Sequence, residues 1–337
     1  MNKLHKIGAT ALCGSLACVA ANAGDMSVSG SAVATYTSVD KSVTGNPIGI
    51  NSGITFKGSG ELDNGSTFTV SLTNADQSAY SSGNITLTVP GVGTFGIDQG
   101  AGGQGIDRID DKMPTAWEET NGAGVNTGFR TVSGVGGSTN VELNVDGGIL
   151  PEGMGLQLAY TPKAGVSGTN DGAMGGDGNN TQGNGWDVVL THSGGVDGLE
   201  VFAGWSDISQ AVTTADKSDD QISYAAGLTY AMGGITLGYE YSREDMNDNS
   251  VNGYDNTMYG LSYAVNDDLS VSYGHVDSEK DNNSAADVTM ETDSIQISYT
   301  MGGATVILAE TSADNALYAS GTGGDISGTT LRLALAF

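Results

Sequence analysis

The chain has 337 residues, of which 53 are glycine and only 15% are charged, and its acids outnumber its bases 39 to 12. That charge balance excludes binding to a phosphate backbone as a main activity. A hydrophobic fraction of 38% is low for a chain that must fill a large dry core, so the composition fits a glycine-rich, all-β chain with much of its surface in water.

At the N-terminus Lys3 and Lys6 precede an apolar, small-residue stretch. Ala21-Asn22-Ala23 then fits the small-x-small cleavage pattern of a secretory leader. Residues 1–23 are expected to be a signal peptide and 24–337 the mature domain. Cys13 and Cys18 would leave with the leader, so the exported chain would carry no thiol into an oxidising compartment. Ser15-Leu16-Ala17-Cys18 offers a lipoprotein box as the alternative, but serine stands where a large aliphatic residue is wanted. No other run approaches the roughly 20 apolar residues of a membrane helix. If the chain crosses a membrane, it crosses as strands.

From Asp25 onward short runs alternate apolar and small polar residues, the period of strands. Met26, Val28, Ala32, Ala34 and Tyr36 share one face; Ile48, Ile50, Ile54, Phe56 and Leu62 continue it, with Thr55, Lys57, Ser59 and Glu61 opposite. Asp63-Asn64-Gly65 is a tight-turn signal. Phe68 to Leu72, Ile85 to Val89 and Phe95 to Ile97 complete five strands. After an interruption the rhythm resumes at Val141 and runs to the end of the chain, where Leu331, Leu333, Leu335 and Phe337 alternate with Thr330, Arg332, Ala334 and Ala336. The count is sixteen strands, with short turns alternating with longer Asp/Asn/Gly/Ser loops. All five prolines fall in turns, loops or strand ends, where a missing N–H does no harm.

The interruption runs from about Gln99 to Gly128. Ile106, Ile109, Met113 and Trp117 stand at steps of three and four, which is helical spacing. Thr115 three before Glu118 reads as a capping box opening a short helix after Pro114. Asp107, Asp110, Asp111, Glu118 and Glu119 face only Arg108 and Lys112 in this stretch. Its apolar stripe requires cover, which folding inward against the strands would supply. Residues 128–137 read either as more loop or as the start of the sixth strand.

Alternation alone does not separate a soluble sandwich, apolar inward, from a barrel in lipid, apolar outward around a wet lumen. Three features favour the barrel. Tyr230, Tyr263 and Tyr299 sit at or just before short turns, where an interfacial girdle lies. The chain ends on an aromatic, Phe337, closing a period-two strand. The leader exports the whole.

Sixteen strands, a long third loop with a short acidic helix, the GTFGID run at 93–98 and the terminal phenylalanine resemble the general bacterial porins, nearest the alphaproteobacterial type. The likeness covers the whole mature chain. It implies a 16-stranded antiparallel transmembrane β-barrel in the outer membrane of a Gram-negative bacterium. It also implies a homotrimer of water-filled channels for ions and small hydrophilic solutes, among lipid and lipopolysaccharide, with the third loop in each lumen. Asp107, Asp110, Asp111, Glu118 and Glu119 would form the acidic side of the constriction, and Lys57, Arg108, Arg130 and Arg332 the basic side. Leu331, Leu333, Leu335 and Phe337 resemble the signal read by the outer-membrane assembly machinery. The fourth strand has no arginine, unlike some members, so bases are sparse and no strong transverse field is expected. With Lys3 and Lys6 gone the mature chain would carry about 10 − 39 = −29, which gives the expectation of a modest cation preference.

No cofactor is expected. The Asp/Asn runs at 245–249 and 281–283 could hold Ca²⁺ but lack EF-hand spacing, and a single Gly/Asp run at 174–180 lacks the neighbours such repeats need. Catalysis would fall to His192 and His275 with a hydroxyl or a carboxylate, and the two are expected near opposite ends of the barrel. A secreted or surface-exposed β-rich adhesin is the remaining alternative.

Overall fold

The computed structural model describes residues 23–40, 46–75, 81–120, 123–165, 182–211, 219–246, 248, 250–321 and 323–337. Residues 1–22 of the expected leader, the Gly/Asp run at 174–180 and parts of the 245–249 run lie outside them.

The strands are β1 (Ala23–Val39), β2 (Ile48–Glu61), β3 (Thr67–Ala75), β4 (Ser82–Val89), β5 (Gly93–Gln99), β6 (Asn140–Val145), β7 (Met154–Thr161) and β8 (Gln182–His192). They continue as β9 (Leu199–Gln210), β10 (Gln221–Met232), β11 (Ile235–Asp245), β12 (Val251–Ala264), β13 (Leu269–Asn282), β14 (Val288–Met301), β15 (Ala304–Asp314) and β16 (Ile326–Ala336). Each pairs antiparallel with its chain neighbours, and β1 pairs β16 to close the barrel. Closure leaves no edge strand with unpaired N–H and C=O groups, which lipid would not tolerate. The last residue takes part: Gly30 and Phe337 exchange both backbone hydrogen bonds at 2.8 and 3.0 Å. The Phe337 ring lies directly over Gly30, where an added Cβ would come within 2.4 Å of it.

The two faces are the inverse of a soluble sandwich. Along β14, Ile295, Ile297 and Tyr299 are 59%, 41% and 43% exposed, while Gln296 between them is 1% exposed. The register carries this face around the ring: Leu237 pairs Leu261, Leu261 pairs Tyr273, Tyr273 pairs Ile295, and Ile297 pairs Leu308. Along β11–β15 the exposed apolar side chains therefore form a continuous outer belt, and the polar residues between them, Glu240, Asn256 and Gln296 among them, are covered.

The ring is not of even height. β12, β13 and β14 have 14 residues each, whereas β4, β5 and β6 have 8, 7 and 6. Residues 128–137 belong to no strand; β6 starts at Asn140, so the segment joining β5 to β6 spans 100–139.

Candidate functional site

The described residues of segment 100–139 have almost no regular structure of their own, and their N–H groups would be orphaned unless something accepts from them. The polar face of the sheet supplies the acceptors. Gly105 N–H donates to Glu142 on β6 (3.0 Å), and Ile106 and Val135 N–H both donate to Asp187 on β8 (3.0 Å each). Lys112 N–H reaches Glu240 on β11 (3.3 Å), and Ala116 N–H reaches Ser272 on β13 (2.9 Å). On β14, Gln296 Oε1 accepts from both Trp117 and Glu118 N–H (3.1 Å each), and its Nε2 donates to the Glu118 carbonyl (2.7 Å). Thr311 on β15 donates to the Ala123 carbonyl at 3.1 Å. One segment thus touches the polar face of strands on opposite sides of the ring.

Its apolar stripe finds cover as expected. Ile106 and Ile109 are fully buried among Val132, Val189, Phe202 and Ala225, with Met113 packed beside them. Glycines in the wall make the close approach possible. Gly238 and Gly260 are register partners on β11 and β12, and a Cβ on either would fall 2.4 or 2.7 Å from Pro114 Cδ. A Cβ at Gly204 on β9 would meet Ile109 at 2.8 Å.

The capping-box helix expected at Thr115–Glu118 is not formed. The helical turn lies earlier, a single 3₁₀ turn at Gly105–Ile109. The amides of residues 116–118, which a helix start would satisfy with its own side chains, are taken by Ser272 and Gln296 instead. The tertiary acceptors outcompete the local cap.

The basic residues are distributed as follows. Arg108 pairs with Glu142 at 2.5 Å, and Arg130 with Glu244 on β11 at 2.5 Å. The Arg332 guanidinium stands 5.5 Å from the centre of the Trp117 ring, on the side of β16 away from exposed Leu331 and Leu333. Lys57 is exposed on β2 and makes no ion pair among the described residues. Glu142, Asp187, Glu240, Glu244 and Gln296 escaped the sequence reading, which took polar strand residues as a water-facing lining. Their signal was long acceptors at positions otherwise held by Ser, Thr or Gly.

The acids draw together. Asp107 accepts from Gly103 N–H (2.6 Å) and Asp110 from the Thr131 hydroxyl (2.7 Å), while the Asp111 carboxyl stands beside that of Glu119. Burial, reinforced by the neighbouring Asp111, pushes Asp110 up to about 8. Burial and the contact with Glu119 push Asp111 up to about 7, and burial also raises Asp107 and Glu119. Glu240 is fully buried beside them, and its Oε1 has no hydrogen-bond partner among the described residues. No group of three or more potential metal-ligating side chains is gathered there among the described residues. His192 ends β8 at a short turn, whereas His275 lies within β13 between Asp277 and Asp293, so the two do not meet.

A closed antiparallel barrel with an apolar outer belt and a polar face seating one long segment defines a transmembrane channel protein of the β-barrel class. The chain belongs to the Gram-negative porin family, whose model matches residues 8–316. Among solved structures, the fold is similar to that of OmpF from Salmonella typhi, solved with daunomycin: 16% identity, 93% of this chain and 97% of that one covered, TM-score 0.69. It is also similar to a loop-L8 deletion mutant of OmpT from Vibrio cholerae, at 12% identity, 93% and 99% coverage and TM-score 0.66. A triple mutant of the Rhodopseudomonas blastica porin matches at 15% identity, 93% and 100% coverage and TM-score 0.58. Identities this low speak for the fold alone. No curated protein matches the sequence. Family and fold together make the protein a multi-pass β-barrel of the outer membrane, a channel for small solutes, as the sequence resemblance implied.

Proposed function

We propose that the protein is a homotrimeric diffusion pore with a modest cation preference, and that segment 100–139 folds into each lumen to form the constriction. The observation that carries this reading is the set of hydrogen bonds tying the segment to β6, β8, β11, β13, β14 and β15. A single stretch reaches the covered face of strands all round a closed ring only from within it. Asp107, Asp110, Asp111, Glu118 and Glu119 then stand at the narrowing, with Lys57, Arg108, Arg130 and Arg332 as the basic groups of the wall. Arg108 and Arg130 are already neutralised by Glu142 and Glu244. The net charge, −27 for the whole chain and 10 − 39 = −29 once Lys3 and Lys6 leave with the leader, makes the mouths negative and enriches cations there. Screening within roughly 8 Å at physiological salt keeps the preference modest.

The low wall supports the assembly. Crossing the hydrocarbon core takes about 9–11 tilted residues, and β4, β5 and β6 are shorter than that. Covering this side with a neighbouring subunit would remove the mismatch at β4 and β5, which supports a contact on the β1–β5 and β16 side of the ring. Leu331, Leu333, Leu335 and Phe337, all exposed on the outer face, serve as the assembly signal, and the outer belt meets lipid and lipopolysaccharide.

The test is a pair of measurements on the purified protein. Liposomes carrying it should swell in small sugars with no energy source, and a KCl gradient across a planar bilayer should give a reversal potential of cation-selective sign. Tight liposomes with correctly inserted protein would end the channel reading. An anion-selective potential would end the charge assignment.

A further inference from the structure

Among the described residues, the only non-glycine positions with positive φ are Asn315, Leu317 and Tyr318, at 53°, 59° and 56°. All three lie in the connection between β15 and β16. L side chains rarely adopt this region, leucine and tyrosine least readily, and such conformations persist only where the surroundings hold them. What holds them here is the pore segment. Leu317 N–H donates to the Thr127 carbonyl at 2.7 Å, and the Leu317 side chain fills the space at Gly128, where an added Cβ would stand 2.2 Å from its Cδ2. The Tyr318 hydroxyl accepts from Arg130 N–H at 3.3 Å and is bonded to Ser278 Oγ on β13 at 2.7 Å. Its ring lies 5.1 Å from that of Tyr254 on β12, and the Arg130 guanidinium covers Tyr254 at 5.3 Å. The Arg130 carbonyl accepts from Asn256 Nδ2 at 3.0 Å.

The hook is itself anchored. Asn315 Nδ2 donates to the Thr289 carbonyl on β14 (2.9 Å), and Ala316 N–H to the Gly324 carbonyl (2.7 Å). The descending part of the pore segment is fixed by side chains of six strands. The returning part, 127–130, is fixed in large measure by this hook, and a left-handed backbone is needed to aim Leu317 N–H and the Tyr318 ring at it together.

We propose that Asn315–Tyr318 is the positioning element for the returning limb of the pore segment, held in a strained state whose release gives the channel a second, fluctuating conductance level. The proposal rests on the channel reading given above. The strain opposes engagement while the contacts favour it, so removing a few contacts tips the balance, which is the property of a two-state element.

Tyr318→Phe keeps the ring against Tyr254 but removes the hydroxyl that joins Arg130 to Ser278. Its transitions away from the main open level should increase roughly tenfold, the worth of one to two hydrogen bonds. Tyr318→Ala, which also loses the ring contact, should increase them further. Hydrogen exchange should show the Leu317 and Arg130 amides losing protection by the same factors, with the β13–β14 ladder unchanged. Wild-type noise and wild-type protection in Tyr318→Phe would overturn the proposal, and that variant decides the matter if Tyr318→Ala fails to insert. Exchange needs no conduction: a wild-type protein that inserts but does not conduct counts against the channel reading, while a conducting one with unaltered variants counts against the hook alone.

Discussion

Gln296 is the most direct place to test how segment 100–139 is held. Its side chain is 1% exposed and makes three hydrogen bonds to the segment: two accepted at Oε1 from Trp117 and Glu118 N–H, one donated from Nε2 to the Glu118 carbonyl. Gln296→Leu preserves the volume and deletes all three. A net contribution of about 0.5–1.5 kcal/mol per bond gives about 2–4 kcal/mol if the abandoned groups stay dry. Trp117 and Glu118 are only half-buried, so water recovers part of that, and the expected loss of docking is about 1–3 kcal/mol. At 1.4 kcal/mol per tenfold, local opening should rise roughly 10- to 100-fold. Native-state hydrogen exchange in detergent reads this directly. The Trp117 and Glu118 amides should exchange faster by that factor, while Ile295 and Ile297 in the β14 ladder keep their protection. Gln296→Glu retains an acceptor and should slow exchange back toward the wild-type rate. Unchanged protection of Trp117 and Glu118 in the leucine variant would refute the reasoning, because the segment would then be held by something other than these bonds.

The proposed cation preference should depend on pH in the neutral range. Asp110 and Asp111 titrate near 8 and 7 because they are buried, against about 4 in an unfolded chain. Between those limits the docked segment binds more protons than a released one, so docking is strongest at low pH and weakens as pH rises through 7 and 8. Over the same interval the constriction gains negative charge. Each charge about 8 Å from a permeating ion in water contributes roughly 0.5 kcal/mol, about twofold in permeability ratio before screening. Reversal potentials should therefore become more cation-selective from about pH 6 to 9, and Asp110→Asn with Asp111→Asn should flatten the curve; a flat wild-type curve would show that these carboxyls do not face the ion path. On the subunit contact, Ala32→Arg or Leu87→Arg should turn a detergent-resistant trimer into folded monomers on a gel. Leu237→Arg and Leu261→Arg should instead impair insertion and leave any trimer that forms intact, and the reverse pattern would put the interface on the opposite side of the barrel.

The sequence by itself determined the sixteen strands, their order and which face of each is apolar. Those are local properties: a period of two places Ile295, Ile297 and Tyr299 on one side of a strand whatever that strand pairs with. It also located the interruption after Gln99 and the need of Ile106 and Ile109 for cover, since an apolar stripe among acids demands a partner. Only the tertiary structure decided what that partner is. The register of β11, β12 and β14 brings the glycines Gly238 and Gly260 and the acceptors Glu240 and Gln296 to the same face. Those acceptors stand nearly 130 to 180 positions from the amides they bind. Such pairings leave no mark in a window of neighbouring residues, which is why Thr115 and Glu118 read as a helix cap although their stretch is bound to the wall. The left-handed hook at Asn315–Tyr318 was equally hidden, because of its residues only Asn315 is a type that enters positive φ readily, while Leu317 and Tyr318 do not. The contacts of Leu317 with Thr127 and of Tyr318 with Arg130 impose that conformation, and they exist only once the barrel has closed.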